Sequence, residues 1–154
     1  MALNPRSTAS IAGHPIHPML VPFPIAFFVG AFLCDLAFWQ TTYPLWATAA
    51  TWLLGAGLIS AALAALVGFI DFFGEPRIRD LGDAWWHAGA NIAVVVIEAF
   101  NWYTHFRSGA AGVVPLGLAM SFLASALLLF SGWKGGELVF RHRVAVLEDP
   151  KAPF

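Results

Sequence analysis

The sequence predicts an all-α membrane protein: an antiparallel bundle of four transmembrane helices with both termini in the cytoplasm. Of its 154 residues, 59% are hydrophobic and only 11% are charged, whereas soluble domains carry about 25% charged residues. Four apolar runs each reach the roughly 20 residues that a helix needs to cross a bilayer. The connections between these runs are short, so consecutive helices should run in opposite directions.

The four predicted spans cover about residues 19–39, 45–73, 84–106 and 113–133. The first follows a proline-rich lead-in, and because proline is tolerated in a first helical turn, free helix is expected only from about Pro22. No cleavage site follows the first apolar run, so that run should remain as a span. No internal repeat divides the chain, and a single membrane domain over residues 1–154 is expected.

The distribution of basic residues orients the predicted spans. Seven of the eight Lys and Arg residues lie in the N-terminal segment, the second connection and the C-terminal tail, and only Arg107 lies on the opposite side. The seven are Arg6, Arg77, Arg79, Lys134, Arg141, Arg143 and Lys151. Because basic residues accumulate on the cytoplasmic side of a membrane, both termini are predicted to be cytoplasmic.

Composition also limits the classes of function. A net charge of -1 and the lack of a basic block argue against a nucleic-acid partner. Cys34 is the only cysteine, which excludes an internal disulfide and a Cys-rich metal or iron–sulfur site. The sequence has no glycine-rich phosphate loop, GxSxG, HExxH or CxxC motif, so no catalytic residue is predicted and enzyme activity is left open.

Polar residues recur on one face of the third predicted helix. With about 100° per residue, five of them fall within about 40° of one direction: His87, Asn91, Glu98, Asn101 and His105. Since lipid does not accept such groups, this face should point inward, where Asp35 of the first helix is expected to meet Glu98 or Asn101. The predicted buried polar stripe consists of Asp35, Asn91, Glu98 and Asn101. Either it has a function of its own, or it only holds the helices together by hydrogen bonds. His105 is interpreted as an ordinary residue of the outer interface.

A second polar group belongs to the cytoplasmic end of the predicted bundle. It combines four histidines and two carboxylates: His14, His17, Asp71, His87, Glu137 and His142. Imidazole binds haem iron and first-row metal ions, and carboxylates join it for harder ions. Two sites are alternatives here: haem b between His17 and His87, with His14 as a further ligand candidate, or a divalent metal ion held by the whole group. The third alternative is an ordinary interfacial cluster without a cofactor. Gly135 and Gly136 are expected to let the chain turn back toward this end.

Two terminal motifs resemble those of a known family. GHPIHP at residues 13–18 and WKGGELVFRH at residues 133–142 are similar to segments of small bacterial four-helix membrane proteins catalogued as a domain of unknown function. The resemblance covers about residues 13–146, and four further residues match its pattern: Asp35, Asp71, His87 and Asn91. Arg143 and Ala145 replace glycines that are usual in the family's tail. If those glycines let a ligand approach, the role of His142 is in doubt.

These observations favour a membrane protein that binds haem b or a metal ion in an electron-transfer setting. The resemblance implies a bacterial inner membrane, and also a redox setting, because relatives are sometimes fused to iron–sulfur or cytochrome-like domains. The alternative is a non-catalytic subunit or assembly factor of a larger membrane complex, respiratory or otherwise redox-active, and self-association into a homo-oligomer is left open. Proton or ion permeation along the polar stripe is disfavoured, because four helices leave little room for a water path.

Overall fold

The computed structural model of the protein describes residues 4–146, and helices account for 83% of them. The long helices are α2 (Pro22–Thr41), α3 (Pro44–Gly74), α5 (Gly82–Ser108) and α6 (Leu118–Phe140). Two short helices, α1 (Ile16–Leu20) and α4 (Pro76–Arg79), precede α2 and α5. The strands β1 (Ser10–Ile11) and β2 (His14–Pro15) pair as a small antiparallel hairpin before α1. Lys151, used above to orient the chain, lies outside the described residues.

Three helical stretches are long and apolar enough to cross a membrane: Ile16–Thr41, Pro44–Gly74 and Gly82–Phe140. The third spans 59 residues and contains the break between α5 and α6. This break consists of a 3-10 turn over Gly109–Gly112 and a wider turn over Val113–Gly117, in which Val114 has an extended backbone. Many large apolar side chains of these helices are exposed, which suggests contact with a lipid bilayer.

The helices pack as two hairpins. α2 packs mainly against α3, and α5 packs mainly against α6, while contacts of α3 with α5 and of α2 with α6 join the hairpins. The two ends of the described chain lie together, since Asn4 Nδ2 donates to Val146 O at 3.0 Å and Ala145 N donates to Pro5 O at 2.8 Å. We call the end that carries them the inner end, and the end with the break between α5 and α6 the outer end.

Small residues bring the helices close together around an apolar core. The core contains Phe28, Ala31, Leu54, Ala61, Val94, Ala124 and Leu128. A Cβ atom on Gly57 of α3 would lie 2.5 Å from Cε1 of Phe28, whose side chain is only 1% exposed. Close approach of this kind drives helix association in lipid, where apolar burial alone gives little gain.

The helix limits differ from the predicted spans in three places. The lead-in already forms α1, because Pro18 is its third residue and needs no N–H at that position. α6 begins at Leu118 instead of about residue 113, because the break occupies the intervening residues. The expected turn at Gly135 and Gly136 was wrong, since α6 continues through both glycines to Phe140.

We expect the substitution Gly57→Ala to lower the free energy of unfolding by about 1–3 kcal/mol, because the added methyl group would overlap the buried ring of Phe28. Gly132→Ala is the matched control: a Cβ there meets no atom within 4 Å, so alanine should leave stability unchanged or raise it by up to about 1 kcal/mol. Thermal unfolding in detergent, followed by circular dichroism, compares the two variants. Equal effects would contradict the contact between Gly57 and Phe28.

Candidate functional site

His17 and His87 face each other at the inner end. Their ring centroids are 6.2 Å apart and their ring planes are nearly perpendicular, at 88°. His17 belongs to α1, which packs on α3, and its Nδ1 lies 2.9 Å from Ala64 O. His87 belongs to α5, and its Nδ1 lies 2.9 Å from Ser131 O on α6. Each ring is therefore tied to its own hairpin, and the pair spans the seam between the two hairpins.

The hydrogen bonds fix which nitrogen of each ring is available. A carbonyl oxygen can only accept, so Nδ1 of both rings must carry a hydrogen and donate it, which leaves Nε2 with a lone pair in the neutral ring. Asn91 Nδ2 lies 3.3 Å from His87 Nε2, but its shorter bond is to Ser131 Oγ at 2.6 Å. In histidines that bind metals, one nitrogen donates in this way and the other binds the metal; at His87 that second nitrogen lies within hydrogen-bond distance of Asn91.

Two glycines allow these rings to lie against the long helices. A Cβ on Gly68 of α3 would lie 2.9 Å from Nδ1 of His17, and a Cβ on Gly135 of α6 would lie 3.1 Å from Cε1 of His87. Gly135 therefore makes room for His87 inside a continuous helix, which gives this position of the WKGG motif a packing role instead of the expected turn.

Asp71, a predicted metal ligand, holds the N-terminal segment. Its Oδ1 accepts from Ala9 N at 2.7 Å and from Ser7 Oγ at 2.9 Å, and Thr8 Oγ1 lies 3.3 Å away. A carboxylate with several donors of this kind is well satisfied where it lies. Asp71 thus anchors the segment that leads to His17.

Two further predicted ligands, Glu137 and His142, bond to other side chains at the inner end. Glu137 pairs with Arg141 one turn further along, at 2.8 Å. His142 Nε2 lies 2.9 Å from Asp83 Oδ2, and the other oxygen of Asp83 accepts from Lys134 at 2.7 Å. Asp83, which was not among the predicted site residues, therefore ties the start of α5 to α6 and to the tail.

The connection between α3 and α4 contains another such pair. Arg77 donates to both carboxylate oxygens of Glu75, at 2.9 and 2.8 Å. These hydrogen bonds lower the pKa of Glu75 to about 2. Glu75 therefore stays ionised at neutral pH and remains paired with Arg77.

The structure brings together only part of the predicted metal group. His14 is exposed in β2, with Nδ1 2.9 Å from Ala12 O. Among residues 4–146, no three His, Cys, Asp or Glu side chains are placed so that they could hold a metal ion. His17 and His87 meet, whereas the other four residues have the partners described above.

Two residues of the tail have an unusual backbone conformation. Arg143 and Ala145 have left-handed φ values of 54° and 62°. Glycine adopts this conformation without strain, whereas other residues are disfavoured there. His142, next to Arg143, is held by Asp83.

A second polar cluster is fully buried in the outer half and joins α2, α5 and α6. His105 Nε2 lies 3.0 Å from Asp35 Oδ1, and Ser121 Oγ donates to Asp35 Oδ2 at 2.6 Å. Asn101 Nδ2 donates to Ser121 Oγ at 2.8 Å and to Glu98 Oε2 at 2.9 Å. No member is more than 1% exposed. We call Asp35, Glu98, Asn101, His105 and Ser121 the outer polar core.

Two expectations about this region were wrong. Asp35 bonds to His105 and Ser121, and not directly to Glu98 or Asn101. His105 is buried and not interfacial, because the break between α5 and α6 folds over it: a Cβ on Gly117 would lie 2.5 Å from Cε1 of His105. Its helical spacing from Glu98 and Asn101 puts it on the same inward face of α5.

The predicted polar stripe is divided by an apolar layer. Val94, only 1% exposed, lies between Asn91 and Glu98 on the inward face of α5 and belongs to the apolar core. Asn91 bonds to His87 at the inner end, whereas Glu98 belongs to the outer polar core. The two polar clusters are therefore separate sites.

Comparison with known proteins places this architecture in a family. A family model described as "Predicted membrane protein (DUF2231)" matches residues 13–148. The chain belongs to this family. No curated protein and no solved structure matches the chain. The match confirms the resemblance drawn from the two terminal motifs, and the protein is a membrane protein with several candidate spans. Both motifs of the family meet at the inner end, since one supplies His17 and the other supplies Gly135 against His87.

We expect Asp35→Ala to lower the free energy of unfolding by about 3–5 kcal/mol, because it leaves His105 and Ser121 buried without their acceptor. Glu137→Ala, which removes a carboxylate from a pair with the exposed Arg141, should cost less than about 1 kcal/mol. Unfolding of both variants in mixed micelles, followed by tryptophan fluorescence, measures the difference. A loss for Asp35→Ala no larger than that for Glu137→Ala would contradict the buried network.

Proposed function

We propose that the protein crosses a bacterial inner membrane four times, binds haem b between His17 and His87 at its cytoplasmic end and takes part in electron transfer. The observation that carries this proposal is the histidine pair across the seam, with each Nδ1 fixed by a carbonyl on its own hairpin. The remaining support comes from the distance between the rings, the number of ligands and the charge at the inner end.

The distance between the rings would let both histidines hold one haem. Metal–imidazole bonds are about 2 Å long, so two rings that share one metal would have to lie close together. The observed separation of the centroids of His17 and His87 is 6.2 Å. Gly68 and Gly135 lie against these two rings and have no side chains of their own.

The number of ligands favours haem b over a divalent metal ion. Haem needs only two axial ligands from the protein, whereas a zinc site usually takes at least three protein side chains. Within residues 4–146, no group of three suitable side chains is assembled. Bound haem would supply one-electron chemistry. The chain's own contribution is to present Nε2 of each ring and, through the carbonyl partners of Nδ1, to orient the rings and raise their basicity.

The distribution of charge supports a cytoplasmic inner end. Six described basic residues belong to this end and one, Arg107, to the outer end. The six are Arg6, Arg77, Arg79, Lys134, Arg141 and Arg143. The position of both chain ends at the inner end suits an even number of crossings, with α2, α3, α5 and α6 each crossing once as an antiparallel bundle.

A second candidate function is that of a non-catalytic subunit or assembly factor of a larger membrane complex, including a redox complex or a homo-oligomer. An apolar surface groove near the inner end favours it, with walls formed by Trp85, Trp86, Leu127 and Phe130. A Cβ on Gly89 in its floor would meet no atom within 4 Å, so a neighbouring helix has room to approach.

Purified protein should show a haem Soret band that shifts on reduction, either as isolated or after titration with haemin. His17→Ala and His87→Ala should each remove most of the bound haem, because one axial ligand is lost. His142→Ala is the matched control, since its ring is held by Asp83, and it should keep the wild-type spectrum.

Protein that shows no band and takes up no haem would end the proposal, as would a band that neither His17→Ala nor His87→Ala disturbs. Haem-free protein that purifies as a stoichiometric component of a larger complex would favour the second candidate.

Single cysteines test the orientation in a background with Cys34→Ala. Ser108→Cys lies at the outer end and should react with a membrane-impermeant maleimide in intact spheroplasts, because that end is predicted to face outward. Arg79→Cys lies at the inner end and should react only after permeabilisation. The reverse pattern would contradict the orientation, and labelling of both in intact spheroplasts would contradict four crossings.

A further inference from the structure

We propose that the outer polar core is a proton-binding site within the membrane, in which Glu98 takes up and releases a proton beside an Asp35–His105 pair that keeps one of its own. This site is independent of the proposed haem site, because the apolar core that contains Val94 lies between them.

The Asp35–His105 pair holds one shared proton. Nδ1 of His105 lies 3.0 Å from Asn101 O, and since a carbonyl only accepts, Nδ1 carries a hydrogen. Nε2 lies 3.0 Å from Asp35 Oδ1, where two lone pairs would repel each other, so one proton lies between these atoms. Whether it sits on nitrogen or oxygen, the pair has the same number of protons and no net charge.

Ser121 and Asn101 separate this pair from Glu98. Ser121 donates to Asp35 and accepts from Asn101, and the second amide hydrogen of Asn101 goes to Glu98 Oε2. An amide that donates on both sides does not pass a proton along. Glu98 is therefore linked to the pair by hydrogen bonds but gains and loses its own proton.

Glu98 has one oxygen available for a proton. Oε2 accepts from Asn101, whereas Oε1 is buried and has no hydrogen-bond partner, and the residue is 0% exposed. An ionised carboxylate with an unpaired oxygen is costly in such surroundings, and a proton on Oε1 removes the charge. Ser125 Oγ on α6 is also buried without a partner.

The surroundings favour a proton over a metal ion. The titratable groups facing Glu98 are Asp35 of α2 and His105 of its own helix, with the half-buried Cys34 next to Asp35. α3 contributes apolar side chains such as Leu54 to the core beside it, and α6 contributes hydroxyls. Both oxygens of Asp35 already have partners, and the described residues form no group able to hold a metal ion. Since the pair is neutral, Glu98 alone changes the net charge of the network.

Infrared spectroscopy of the full-length protein in liposomes tests this directly. Exposed carboxyl groups are ionised at neutral pH, so the C=O stretch of a protonated carboxylic acid reports buried acids. We expect such a band in the wild type, shifted in D2O and falling about tenfold per pH unit above its titration midpoint. Glu98→Gln, which keeps the acceptor for Asn101, should remove it. Glu137→Gln, a surface carboxylate on α6, should leave it unchanged.

Four results would overturn the proposal. They are no protonated-acid band in the wild type, a titrating band that persists in folded Glu98→Gln, and a wild-type band that is wholly insensitive to both pH and D2O, which would mean a locked structural proton. The fourth is loss of the band on adding sodium at constant pH, which would make the site one for a cation. A band that titrates and is lost in Glu98→Gln alone supports it.

Discussion

Lipid offers no hydrogen-bond partner, so every polar side chain in a membrane helix must find one inside the protein. In the outer polar core, three side chains from three helices meet this requirement by bonding to one another: Asp35 from α2, His105 from α5 and Ser121 from α6. Apolar packing between small residues still allows helices to slide and rotate against one another. These hydrogen bonds, in contrast, can all form only at one depth and one rotation of each helix. The mutual position of these helices therefore depends on them.

The inner end meets the same requirement differently. His17 and His87 each bond to a carbonyl of their own hairpin and only face each other across the seam. The outer polar core, by contrast, binds the two hairpins to each other. At the inner end the hairpins are joined instead by apolar packing of Phe72 of α3 against Ile78 and Ala84, with the apolar layer around Val94 between the two ends.

Helix positions could be predicted well, because a membrane span depends on local length and composition. α3, at Pro44–Gly74, lies within one residue of its prediction at each end. The start of α6 and the burial of His105 could not be predicted, since both depend on how the chain folds back through Gly112 and Gly117. Because His17 and His87 belong to the same end of the predicted bundle, their proximity could be predicted. That Asp71 binds the N-terminal segment could not be predicted, because that contact joins residues more than sixty positions apart.

The contact between the two ends of the described chain has a further consequence. Asn4 bonds to Val146 and Ala145 bonds to Pro5, so the path of the chain is nearly a closed loop. Both ends of the described segment therefore lie at the same end of the bundle. Joining these ends and opening the chain elsewhere would preserve the order of the helices in space, which is the arrangement that circular permutation requires.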